Sequence, residues 1–123
     1  MTEKSAIAFV IKLRTSFDQT IELLSEELKK EGFGILTRID AHKVLKEKLG
    51  ADFHPYAILG ACNPPLAHKA ISTDSAVGLM LPCNIIVESL EDGNTIIQIA
   101  NPQVMMAIGQ FSNPVLGEVA LQA

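Results

Sequence analysis

Apolar residues along the chain switch between two spacings, and each switch marks a change of element. In SAIAFVIKL, Ile7, Phe9, Ile11 and Leu13 fall on one side, and Ala6, Ala8 and Val10 on the other. That period of two predicts a strand whose second side packs closely against something. Phe17, Ile21, Leu24 and Leu28 then form one helical stripe, opened by Ser16 with Gln19 three residues later and ended at Gly32. Glu26 and Lys30 stand at i, i+4 on its wet side. ILTRI predicts a second strand, and Asp40 stands as the cap of a helix through AHKVLKEKL that Gly50 stops. HPYAILGAC predicts a third strand, with Tyr56, Ile58, Gly60 and Cys62 on one face.

Three Asn-Pro pairs, Asn63-Pro64, Asn101-Pro102 and Asn113-Pro114, each precede an apolar run with helical spacing. Asparagine favours the N-cap, and proline at the first helical position gives up no needed donor, so each pair predicts a helix start. NIIVESLEDGNTIIQIA predicts a hairpin turning at Asp92-Gly93-Asn94. No linker or repeat interrupts the pattern. It amounts to one compact domain over residues 1–123, α+β, with about five strands in a mostly antiparallel sheet packed against four or five helices.

Composition adds an expectation about assembly. The chain has 123 residues, 48% hydrophobic and only 20% charged, so part of the apolar surplus of so small a body is expected at a homodimer interface. The formal net charge is −4 and no basic run exceeds Lys29-Lys30, which argues against a nucleic-acid partner. AIAFVI is too short for a signal core, and no segment approaches a membrane span, so a cytoplasmic location with reduced thiols is expected.

Candidate chemistry centres on the two cysteines, each followed by asparagine: Cys62-Asn63 and Cys83-Asn84. Cys62 closes a strand just before a helix start, whose positive end can lower a thiol's pKa. With Pro64 and Pro65 lacking donors, the amides of Leu66 and Ala67 are the expected anion contacts. Packing as a small hydrophobe is the competing reading. Cys83 should share a face with Ile85 and Val87, where burial is the default. Asn63 is accounted for as a cap; Asn84 precedes no helix and is open to ligand contact or to a turn's backbone. His68, one turn into the helix that Asn63 begins, leans back toward Cys62 and could support a thiolate or a soft metal, or stand as a partly exposed helical histidine. His42 and His54 read as surface and turn residues. Neither cysteine belongs to a CxxC, and the histidine spacings match no zinc pattern. Met105-Met106 reads as packing, and the carboxylates as solvated faces or turns.

The strings GFGILTRIDAHKVLKEKLGADFHPYAILGACNPPLAHKAI and VGLMLPCNIIVE resemble the domain-of-unknown-function 302 family, from the first strand to about Ala107. ILGACNPPLAHKA and LMLPCN together carry the likeness. The resemblance implies a compact α+β domain, often a homodimer, with no established activity and no catalytic residue to carry over. It places Cys62, Asn63, Pro64, Cys83 and Asn84 where the family motifs stand, which favours convergence of the two loops. It also implies a longer charged C-terminal helix in relatives than the helix from Asn113, which here ends at GEVALQA. The leading expectation is a small-ligand or soft-metal pocket lined by Cys62, Asn63, Cys83 and Asn84 with His68 nearby. The alternatives are a thiol enzyme with Cys62 as nucleophile, and an interaction-only homodimer with buried cysteines.

Overall fold

The computed structural model describes residues 2–4 and 8–100, with side chains from Phe9 to Ala100. The helices expected at Asn101 and Asn113, and Met105-Met106, lie outside the described residues. In chain order the elements are β1 (Thr2–Lys4), β2 (Ala8–Leu13), α1 (Phe17–Lys30), β3 (Gly34–Asp40), α2 (Ala41–Leu49), β4 (Tyr56–Cys62) and α3 (Pro64–Thr73). A 3-10 helix (Ser75–Met80), β5 (Cys83–Ser89) and β6 (Thr95–Ala100) complete it. The strands form one sheet in the order β1-β2-β6-β5-β4-β3, and every neighbouring pair is antiparallel. The five expected strands are all present. β1 is an additional edge strand, too short to carry a period of its own.

The helix ends follow their local chemistry. Ser16 Oγ accepts from Gln19 N–H at 3.2 Å and opens α1. Gly32 beyond its end takes φ +83°, where an L side chain would be strained. Lys30 pairs with Glu27 at 3.0 Å, one residue from the expected Glu26. Asp40 does occupy the N-cap of α2, yet its carboxylate makes no cap bond. It accepts instead from Arg38 Nε at 3.1 Å, with Lys43 Nζ at 3.8 Å. The β5–β6 turn closes as expected, Gly93 at φ +83° and Leu90 N–H donating to Asn94 O at 2.8 Å.

Strand alternation sorts the sheet into two faces. On one, Ala57, Leu59 and Ala61 of β4, Ile85 and Val87 of β5 and Ile97 of β6 pack with Ile21 and Leu24 of α1. Phe17, Leu28, Ile11, Leu13, Ile35 and Ile99 surround this core. Two threonines buried at its edge have their hydroxyls satisfied: Thr20 Oγ1 donates to Ser16 O at 2.7 Å, and Thr95 Oγ1 to Thr15 O at 2.7 Å. The second bond ties the entry of α1 to β6 across the fold. The opposite face carries Val10, Ile58, Ile86 and Ile96, half-buried and outside that core cluster. Ala70 of α3 and Val77 of the 3-10 helix form a separate small cluster with Leu66 and Leu81. Among the described residues, no helix is long and apolar enough to cross a membrane.

Candidate functional site

β4 delivers the first Cys-Asn pair and β5 the second, at the same end of the sheet. Their register decides which side chains share a face: Ala61 pairs with Cys83, Gly60 with Asn84 and Leu59 with Ile85. Cys83 therefore lies on the α1 face, in line with Ile85 and Val87 as expected. Cys62, one residue past Ala61, turns to the opposite face with Gly60, Ile58 and Tyr56. Asn84 is on that opposite face and exposed.

Both thiols are free and half-buried. Burial pushes the Cys83 thiol above its ordinary pKa, and the neighbouring Cys62 adds to the rise. Because the two cysteine side chains leave the sheet on opposite sides, they are not set to form a disulfide.

Asn63 has its backbone in the extended region at φ −102° and ψ 105°, and its Oδ1 accepts from Leu66 N–H at 3.2 Å. Its carbonyl accepts from Ala67 N–H at 2.9 Å. These two bonds correct an expectation. The Leu66 and Ala67 amides, the only early donors left after Pro64 and Pro65, are both engaged, so the start of α3 offers no amide to an anion. The Asn63 amide also approaches the α1–β3 turn: a Cβ at Gly32 would stand 3.3 Å from Asn63 Nδ2. Asn63 is thus committed to structure. His68 is exposed on α3 and makes no hydrogen bond to Cys62 or to any other described side chain.

Thr37 joins this patch without a warning in the sequence. β3 carries a bulge: Ile35 pairs with Ala61, Thr37 with Gly60, and the intervening Leu36 is left over, 65% exposed. The extra residue moves Thr37 from the α1 face to the Cys62 face, where its Oγ1 lies over Gly60 beside the Pro82 ring. The Leu81–Pro82 peptide is cis. Thr37, Pro82, Asn84 and Cys62 thus share one end of one face. Among the described residues, no three His, Cys, Asp or Glu side chains gather to hold a metal ion.

His42 and His54 are more than surface and turn residues. Tyr56 N–H donates to His42 Nδ1 at 3.0 Å, and the His42 ring meets Phe17 edge-on with centroids 5.8 Å apart. This contact seats α2 on the start of β4. His54 pairs through Nε2 with Glu88 and stacks on Phe53 at 4.0 Å.

A single domain with one antiparallel sheet, a helix-covered core face and two cysteine-bearing strand ends defines an α+β class with no activity attached to it. Within that class the chain belongs to the DUF302 family, a domain of unknown function, whose profile matches residues 9–123. The match continues beyond Ala107, where the sequence likeness stops, to the last residue. The chain is also similar to a crystal structure of an uncharacterized conserved DUF302 protein from Bacillus stearothermophilus. The two share 36% identity with a TM-score of 0.80, over 93% of this chain and 87% of that one. Among curated protein sequences, none matches.

Proposed function

We propose that the domain binds a small molecule at the β4–β5 end of the sheet, with Cys62 and Asn84 as its contacts and Thr37 beside them. The observation that carries this reading is the pairing of Gly60 with Asn84. It puts an exposed amide side chain and the half-buried Cys62 thiol on one face of adjacent strands, beside Gly60, whose missing side chain leaves room for Thr37 Oγ1 and the Pro82 ring. Asn63 holds the loop in place, Cys83 supports the site from the α1 side, and His68 stands on the neighbouring helix. A soft-metal site is less well supported, since only one thiol faces this side and the described residues assemble no set of three ligands. The thiol-enzyme reading loses support with the engaged Leu66 and Ala67 amides, which would otherwise stabilise a thiolate or an oxyanion. We further propose that the domain works as a homodimer, with the half-buried isoleucines of the opposite face contributing to the interface.

The test compares the two thiols and then the ligand. Iodoacetamide at neutral pH should label Cys62 faster than Cys83 in the native protein, as read by peptide mass spectrometry, because the Cys83 thiol is held protonated by burial. Small molecules that raise the melting temperature of the wild type should lose that effect in Cys62→Ser and in Asn84→Ala. Asn84→Ala itself, an exposed change, should alter unliganded stability by no more than about 0.5 kcal/mol. Equal labelling of the two thiols, or ligands that stabilise the variants as well as the wild type, would refute the assignment.

A further inference from the structure

At the other end of β4, α2 and the loop after it enclose an open cavity of about 420 Å³. His42, Lys43, Lys46 and Glu47 of α2 line one side, and Asp52 and Phe53 of the loop the other. A volume of this order suits one small molecule.

The charges lining the cavity are unevenly committed. Lys46 Nζ is engaged by Asp52 at 2.8 Å. Lys43 Nζ reaches Asp40 only at 3.8 Å, and that carboxylate already accepts from Arg38 at 3.1 Å. Glu47 makes no hydrogen bond or ion pair with any described residue. Lys43 and Glu47 stand one turn apart on the same side of α2, close enough to pair, and do not. The cavity therefore keeps one loosely held cation and one unanswered carboxylate side by side.

The apolar wall is aromatic. Phe53 is 47% exposed, and its ring is kept in place by stacking on His54, with Tyr56 edge-on at 6.1 Å. A flat ring laid against it would gain dispersion and quadrupole contacts at little ordering cost. The His42 ring is also held in place, its Nδ1 lying 3.0 Å from Tyr56 N and 3.1 Å from Tyr56 O.

We propose that this cavity binds a small zwitterion bearing an aromatic group, of the free aromatic α-amino acid type. Its carboxylate meets Lys43, its ammonium meets Glu47, and its ring lies against Phe53. The balance of lining charge selects a zwitterion over a simple anion or cation, either of which would leave one of the two helix charges facing a like or absent partner. The site is separate from the Cys62 end of the sheet and stands or falls independently of it.

Titrating the protein with L-phenylalanine, phenylacetate and 2-phenylethylamine, read by backbone amide NMR, tests each part. L-Phenylalanine should shift the amides of residues 42–53, and each of the other two probes, lacking one charge, should bind weaker by about fivefold or more. Glu47→Gln and Lys43→Met, both on an exposed helix side, should each weaken L-phenylalanine binding by a similar factor while leaving the rest of the amide spectrum in place. Phe53→Ala should weaken all three probes together. No shift within residues 42–53 up to the solubility limit, equal affinity for the three probes, or unchanged binding in Glu47→Gln would overturn the proposal.

Discussion

Gly60 shows how one missing methyl group organises the proposed Cys62 site. Its backbone dihedrals ask nothing special, so the requirement is space rather than conformation. A Cβ at this position would overlap Thr37 Oγ1 and stand 2.6 Å from Pro82 Cγ. The threonine could rotate away, but the Pro82 ring sits in a loop bounded by β5 and the 3-10 helix and has less freedom. Gly60→Ala should therefore destabilise the fold by about 1–3 kcal/mol, the range for overpacking a filled position. It should also increase the labelling rate of Cys62 as Pro82 is pushed aside. Gly34 provides the control: a Cβ there meets nothing within 4 Å. Gly34→Ala should be neutral or stabilising by about 0.4–1 kcal/mol through the unfolded chain. Urea denaturation of the two variants side by side makes the comparison, and a Gly60→Ala midpoint equal to wild type would mean that Thr37 and Pro82 are not held over the glycine.

At the scale of elements, α3 is the piece whose start depends most on a single side chain. Pro64 and Pro65 pre-set the first turn but supply no donors, so the cap bond from Leu66 N–H to Asn63 Oδ1 is the side-chain bond that closes the end, beside the backbone bond from Ala67 N–H to Asn63 O. Asn63→Ala should cost about 1 kcal/mol in chemical denaturation, and Asn63→Asp, which keeps an acceptor in place, should recover most of it. A loss of stability that Asp does not restore would mean that the contact of the Asn63 amide with the Gly32 turn, not the cap, is what matters. This helix was legible in the sequence because its signals are local: a cap, a proline and an apolar run. The same holds for the Ser16 cap of α1 and the Gly93 hairpin. What could not be read there depends on partners far along the chain. Neighbours in sequence told correctly that Cys83 shares a face with Ile85, and Cys62 with Gly60. They could not tell that β4 and β5 pair so that those two faces are opposite ones. The bulge at Leu36, which brings Thr37 into the patch, is visible only in the pairing with β4, and the role of His42 only in its bond to Tyr56, fourteen residues on. β1 and the 3-10 helix are too short to show a period.

For the molecule as a whole, the two faces of the sheet pose the question of assembly. One is closed by α1 over a continuous core of alanine, valine, leucine and isoleucine. The other presents a row in which Val10, Gln98, Ile86, Ile58 and Ile39 stand opposite one another across β2, β6, β5, β4 and β3. Ile39, at the outer end of the row on edge strand β3, is 49% exposed. An antiparallel sheet with one wet face would place polar residues there, and in this row only Gln98 obeys that rule. Part of the apolar surplus of the composition thus lies on this side of the sheet, which is where the proposed homodimer should join. Ile39→Lys tests this with little risk to the fold, because the side chain is half exposed and lies at the margin of the sheet. Sedimentation equilibrium of the wild type should give twice the chain mass of 13.3 kDa. The lysine variant, forced to bring two like charges near a two-fold interface, should dissociate at concentrations at least about tenfold higher than wild type, with its melting temperature as a separate check on folding. A wild type that sediments as a monomer would remove the dimer and leave the isoleucine row to be covered from within a single chain.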